Sequence, residues 1–564
     1  MSEFTIAAAQ EAIALAHPDR DAIVQGHRRV TTTELTERTR RLANLLLDRG
    51  LGLRAERGPL APHQSGQDHL AVYLHDGPEY LEAMLGAYKA RLAPFNVNYR
   101  YVADELRYLL DAGGARAIVY HGAFTPILAR VLAHRPPPGV LLRVDDASGH
   151  PLLPGALDYE AALAAAAPVP PPSDWSPDDL YLLFTGGTTG MPKAVMWRQA
   201  DILVAGMGVV DVRHGREWAS IDELVGAAAQ PFSPRMLVAP PLMHGAGQWA
   251  AFQALLTGGT VVLPTIPHRR DPADIVEQMA VQQVTTLVIV GDAFARPLID
   301  ELRRSAATLE SLQHVITGGA PLTPESRSAL LALLPHITIV DSVGSSESGT
   351  QGRGRSSPTA QAPAGCFAPN PGSCVVDEHR QKVLSPGHDG IGWLATAGRI
   401  PLGYLDDSEK TAHTFPVIDG QRMAVAGDRA VHRPDGLIQL LGRDSVTINS
   451  GGEKIFAEEV EAAILAEPKI ADVTVVGRPS ERWGNEVVAV VAVRPGQQLT
   501  AEDVLSTAAR RLARYKLPKQ VVFVDQIVRS PAGKADYRWA RSIAVAASTP
   551  APAGEVPCEH NGAA

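Results

Sequence analysis

The chain has 564 residues, 45% hydrophobic and 20% charged, with 61 acidic against 52 Lys and Arg residues and a formal net charge of −9. At roughly 150 residues per domain this length suggests about four compact units, or one large lobe built from subdomains, with ample material for buried cores. A mildly acidic chain offers no general basic surface for nucleic acid, and no apolar run approaches the roughly 18 residues of a membrane span.

The opening MSEFTIAAAQEAIALAHPDR is acidic and amphipathic, unlike a basic leader followed by an apolar stretch, so a cytoplasmic location is expected, with peripheral membrane contact left open. TTTELTERTRRLANLLL places Thr31 and Glu34 at capping-box spacing ahead of a helical apolar repeat. AVYL (71–74) reads as a buried strand, PEYLEAMLGAYKA as a helix and APFNVN as a strand; YVADELRYLLDAGGARAIVY repeats the helix-then-strand order. Such alternation predicts βαβ units and a largely parallel sheet. Residues 135–177, with RPPPG, a polyalanine piece and APVPPPS, read as a surface excursion.

Strand-like runs continue through MLVAPPLMHG, TVVLP, TTLVIVG, HVITGGAPL and ITIVDSVGSSE, each ending in small or polar residues. In open α/β sheets ligands bind beyond the carboxyl ends of the strands, so these endings are where chemistry is expected. After LGRDSVTINSGGEKI the pattern becomes a smaller unit: helix EEVEAAILAE, strands ADVTVVG and EVVAVVAV, helix AEDVLSTAARRLA. The end of the chain, rich in Ala, Pro and Gly, reads as a disordered tail. Cys366, Cys374 and Cys558 have neither the number nor the spacing of a disulfide framework or a zinc site.

TGGTTGMPK (185–193) lies between two apolar runs. Its small residues let backbone N–H groups approach an anion, its hydroxyls add donors, and Lys193 supplies a point charge suited to phosphate. The order Pro192, Lys193, Ala194 departs from the ordinary G-x-x-x-x-G-K-[ST] loop. A glycine-rich turn joining two strands is the plainer reading of the same residues.

The stretch resembles the phosphate loop of the adenylate-forming superfamily, which includes acyl-CoA synthetases, luciferases and peptide-synthetase adenylation domains. Six further motifs occur in the family's order: PLMHGAGQW (241–249), ITGGAPL (316–322), SVGSSESG (342–349), AGDRA (426–430), LGRDSVTINSGGEKIFAEEVE (441–461) and SPAGKADY (530–537). The resemblance covers nearly the whole chain. It implies an α/β fold: a large N-terminal domain (1–441) of α/β subdomains with mostly parallel sheets, a hinge (442–446), and a small mobile α+β domain (447–542) before the tail (543–564).

It also implies ATP, Mg²⁺ and coenzyme A as cofactors and a small carboxylic acid as substrate. Gly186, Gly187, Thr188, Thr189, Gly190 and Lys193 would wrap the phosphates, with Thr185 and Glu347 serving the metal, an oxygen-seeking cation. Gly318, Gly319, Ala320 and Pro321 would form one wall of the adenine and acyl pockets, and Ser342 and Val343 the other. Val343 departs from relatives that carry an aromatic side chain to stack on adenine. Asp428 would accept from the ribose hydroxyls, Arg443 would contact ribose and phosphate, and Lys534 would be the catalytic lysine of adenylation. His244, with Trp249, would gate an apolar acyl pocket; a buried structural histidine is the local alternative.

In this family the small domain turns between two half-reactions, exchanging the Lys534 face for the Ser450-Gly451-Gly452 face, which would line the pantetheine tunnel. The hinge position falls on Ser445, where Asp or Lys is usual, with Val446 where an acid is frequent. Together with NVNYRY (96–101) and PLGYLDDSEKTAHTFP, the motifs most resemble actinobacterial-type fatty acyl-CoA synthetases, a branch that includes enzymes for steroid side-chain acids. The expectation is an ATP-dependent acyl-CoA synthetase for a medium, long or polycyclic apolar acid. Delivery to a carrier protein and a non-catalytic nucleotide-binding role are the alternatives, and both monomer and homodimer stay open.

Overall fold

The structure is a computed structural model that describes residues 3–172, 174–185, 191–229, 233–450, 453–480, 483–531 and 533–547, apart from the side chains of Ser445 and Lys454. It divides into two compact units in place of four: Met1–Leu440 with Pro531–Lys534, and Leu441–Ser530 with Ala535–Ala564.

Three sheets build the first unit, as expected for the α/β class. In the largest, six parallel strands lie side by side in the order Asp21–Gln25, Thr260–Leu263, Arg235–Val238, Thr286–Ile289, His314–Gly318 and Thr338–Ser345. Beyond Thr338–Ser345 the sheet turns antiparallel through Gly349–Ser356 and Cys366–Pro369. A second sheet is parallel throughout, running Ala93–Asn96, His69–Tyr73, Ala115–His121, Val140–Val144, Leu157–Asp158. The third is a small antiparallel sheet of Leu180–Thr185, Lys193–Arg198 and Gly403–Tyr404.

Strands Thr260–Leu263 and Thr286–Ile289 agree with the sequence reading as short segments rich in β-branched residues and buried on both faces, as central parallel strands require. Thr31 caps helix Thr32–Asp48, its hydroxyl accepting from the Glu34 N–H at 3.1 Å. Helix Pro78–Lys89 is buried along its whole length. The Lys89 ammonium at its end is held by Glu11 at 2.5 Å and by the Thr39 hydroxyl at 2.8 Å, which offsets the cost of burying a charge.

The stretch 135–177 is not a surface excursion alone. VLLRV (140–144) adds a strand to the second sheet, and helix Tyr159–Ala165 brings the fully buried Tyr159 hydroxyl to Glu82 at 3.0 Å. Prolines flank these elements without entering them, so composition concealed a five-residue strand. Cys366 and Cys374 are free thiols; Cys558 lies outside the described residues.

The second unit is a five-stranded sheet in which Glu453–Phe456, Thr447–Ser450, Gly484–Val493 and Ile470–Ser480 follow one another and Gln520–Val524 pairs with Gly484–Val493. Helices Ala457–Leu465 and Ala501–Ala509 cover one face through Val460, Ile464, Val504 and Ala508. Helix Tyr537–Ala546 packs Ala540 and Ala544 on Val488 and Val490, so ordered structure runs past 543, where the tail was expected to begin.

Candidate functional site

Thr185 and Lys193 face each other in register at one end of an antiparallel pair. Gly186, Gly187, Thr188, Thr189 and Gly190 lie outside the described residues. The Lys193 ammonium pairs with Asp407, which caps helix Ser408–Thr414 by accepting from the Lys410 N–H at 2.9 Å. The hydrogen bond from Lys193 holds the Asp407 carboxyl below the usual carboxylate range.

Glu347 sits in the turn between Thr338–Ser345 and Gly349–Ser356. The Tyr404 hydroxyl donates to its Oε1 at 3.0 Å, and burial raises the Tyr404 pKa, so the phenol stays a donor. Trp197 Nε1 donates to the Ser346 carbonyl at 2.9 Å, which ties this turn to the strand that Lys193 begins. Segment 403–410 thus touches both the loop lysine and the turn glutamate. An oriented carboxylate such as Glu347 suits Mg²⁺, which keeps few protein ligands and takes the rest from phosphate and water. Among the described residues no group of three or more His, Cys, Asp or Glu forms a metal cluster.

Gly318 pairs with Ser342 across two parallel strands. A Cβ on Gly318 would stand 2.8 Å from the Ser342 carbonyl oxygen, so only glycine lets the strand ends close this tightly. The following loop is strapped to helix Gly291–Ser305: the Asp292 N–H donates to the Pro321 carbonyl at 3.0 Å, and Asp292 accepts from the Thr323 N–H and hydroxyl at 2.9 and 2.8 Å. Val343 packs on the Leu394–Ala430 cluster, beside a register shift between Val343 and Gly344. Such bulges re-aim side chains at strand ends. Asp428 is buried at the start of strand Asp428–His432.

His244 immediately precedes helix Gly245–Leu256. Burial, with a smaller push from the Lys534 charge, lowers its pKa to about 3, so the ring stays neutral. Its Nε2 is buried and has no hydrogen-bond partner among the described residues. The backbone just before His244 is held by a residue the motif reading left without a role. Asn96 is 5% exposed; its Nδ2 donates to the Phe184 and Met243 carbonyls at 3.0 and 2.7 Å, and its Oδ1 accepts from the Phe184 N–H at 2.8 Å. One amide therefore holds the residues just before Thr185 and just before His244. An asparagine closing an otherwise apolar strand, APFN, was the available signal.

Arg443, Ser445 and Ser450 fall in the second unit. Arg443 ends strand Ile438–Arg443 and its carbonyl accepts from the Thr447 hydroxyl at 3.0 Å. Ser445 lies in the single turn Asp444–Val446, and Ser450 is buried at the end of Thr447–Ser450. Gly451 and Gly452 lie outside the described residues. Lys534 is exposed.

A match to the family described as AMP-binding enzyme runs over residues 11–405, and one to the AMP-binding enzyme C-terminal domain over 459–534. The chain belongs to the AMP-binding enzyme family. This AMP-binding enzyme is 52% identical over 542 residues to the medium-chain acyl-CoA ligase Mig of Mycobacterium avium, covering 96% of this chain and 98% of the relative. It is 38% identical to the 3-oxocholest-4-en-26-oate–CoA ligase of Rhodococcus rhodochrous, with 93% of each chain covered. In fold it is similar to the crystal structure of the anthranilate CoA ligase AuaEII in complex with anthranoyl-AMP, with a TM-score of 0.80, 19% identity and coverage of 97% and 98%. No helix among the described residues is long and apolar enough to cross a membrane.

Proposed function

We propose that this AMP-binding enzyme joins an apolar carboxylic acid to coenzyme A at the expense of ATP. In the first half-reaction a carboxylate oxygen attacks the α-phosphorus of ATP and pyrophosphate leaves; in the second the CoA thiolate attacks the acyl carbonyl and AMP leaves. The observation that carries the reading is the 52% identity to a medium-chain acyl-CoA ligase along 96% of the chain.

The site residues fit that chemistry in distinct roles. Lys193 and the small-residue loop before it bind the triphosphate tail; Glu347, oriented by Tyr404, and Thr185 would hold Mg²⁺, which would offset phosphate charge when bound. Gly318 to Pro321, Ser342 and Val343 wall the adenine, Asp428 accepts from ribose, and Arg443 contacts ribose and phosphate. Lys534 stabilises charge on the acyl carboxylate and α-phosphate. The neutral His244 ring, with Trp249, borders the acyl group and excludes water. Rotation about 442–446 brings Ser450, Gly451 and Gly452 to the pantetheine arm for thiolysis. A cytoplasmic location fits ATP and CoA as substrates.

A medium-chain, long-chain or steroid side-chain acid is the substrate class, a reading supported by the names of the two relatives above. The test is acid-dependent ATP–pyrophosphate exchange and AMP release across C8 to C18 fatty acids, aryl acids and steroid acids, with and without CoA. Exchange with an apolar acid and CoA-dependent AMP release are expected. Exchange without CoA-dependent release would transfer the reading to a carrier-protein acceptor, and no exchange across the panel would overturn it.

A further inference from the structure

Lys410 lies within PLGYLDDSEKTAHTFP, where the motif reading gave it no role, yet the fold brings it near Lys193. Lys193, opposite Thr185, pairs with Asp407, and Asp407 caps the helix whose first turn contains Lys410. The Lys410 Nζ lies 4.6 Å from the centroid of the Tyr404 ring, and that tyrosine donates its hydroxyl to Glu347 at 3.0 Å. Lys410 is half-buried and forms no ion pair among the described residues, whereas Lys193 has Asp407. Burial, and after it the nearby charge of Lys193, makes the Lys410 ammonium easier to deprotonate, while Glu347 and Asp407 oppose this. A partly desolvated ammonium over a ring face, with no ion pair among the described residues, gains from an anion that comes to it.

We propose that Lys410 is a second phosphate-binding cation of this site, gripping the terminal phosphates of ATP, and the pyrophosphate they become, alongside Lys193. The inference rests on the adenylating reading above. The ring of Tyr404 seats the ammonium near Lys193 before phosphate arrives, and an ammonium is a compact charge suited to phosphate oxygens. Arrival of the triphosphate draws Lys193 from Asp407 and gives Lys410 its counter-charge.

The test compares wild type, Lys410→Met and Lys410→Arg in ATP–pyrophosphate exchange, in product inhibition by pyrophosphate, and in thiolysis of a supplied acyl-adenylate. Lys410→Met is expected to raise the KM for ATP and the inhibition constant for pyrophosphate about tenfold, about 1.4 kcal/mol. The KM for the acid and the thiolysis rate stay unchanged, and Lys410→Arg recovers most of the loss. Unchanged ATP and pyrophosphate constants, or an equal rise in the acid KM, overturn the proposal. If wild type shows no exchange, the adenylating reading fails and Lys410 is tested by calorimetric binding of inorganic tripolyphosphate. About tenfold weaker binding by Lys410→Met supports the phosphate role; equal affinities, or no binding by wild type, overturn it.

Discussion

Asn96 and Lys534 represent two ways in which a single residue can serve a site: Asn96 fixes backbone, and Lys534 in the proposed reaction supplies charge. Replacing Asn96 by Ala leaves the Phe184 N–H and the Phe184 and Met243 carbonyls without their present partner. At about 1–3 kcal/mol for each buried group left unpaired, a loss of at least about 3 kcal/mol is expected in denaturant unfolding, together with higher KM values for both ATP and acid. Lys534→Ala is expected to leave stability unchanged, because the side chain is exposed. It should slow acyl-adenylate formation by about 3–4 kcal/mol while sparing thiolysis of a supplied acyl-adenylate; single-turnover measurement of the two halves checks this. The proposal for Lys534 comes from its motif. The role of Asn96 was not readable in the sequence, because its bonds reach 88 and 147 residues along the chain.

At the scale of elements, the strand endings were legible because small residues interrupt β-branched runs, and the Thr185 and Lys193 ends of the strand pair follow from the same contrast. The strand at 140–144 was hidden by flanking prolines, since its partner, Ala115–His121, is specified only by the folded sheet. Asp76 shows how elements set electrostatics: its Oδ1 accepts from the Leu242 N–H at 2.8 Å, and burial lifts its pKa to about 7. The folded chain therefore keeps a proton that the unfolded chain loses near pH about 4. Stability contributed by this group is complete below the unfolded pKa and falls as pH rises from about 4 toward 7. Asp76→Asn preserves an acceptor for Leu242 and is expected to flatten that part of a Tm-against-pH profile. In the segment proposed as the hinge, Gly442 has φ +136° and a Cβ there would lie 2.6 Å from Glu458 Oε2. Gly442→Ala is expected to cost about 1–3 kcal/mol in denaturant unfolding and to slow complete turnover more than either isolated half-reaction.

For the whole molecule, family membership was legible because seven motifs keep their order over most of the chain, whereas the acid could not be read: pocket depth depends on packing among distant segments. The paired Thr185–Lys193 ends and the 403–410 segment come from positions more than 200 residues apart, so the proposed phosphate site is a property of the completed unit. The same long reach governs the first strand, where Ile23 pairs with Val261. At about 5–20 residues per second, ribosomal synthesis of the roughly 240 residues between them takes on the order of 10–50 s. During that interval Asp21–Gln25 has its antiparallel neighbour Arg28–Thr31 but lacks its parallel one, leaving an apolar strand edge open to other nascent chains. Production of this protein should therefore depend on chaperone supply and growth temperature more than the stability of its finished core would suggest.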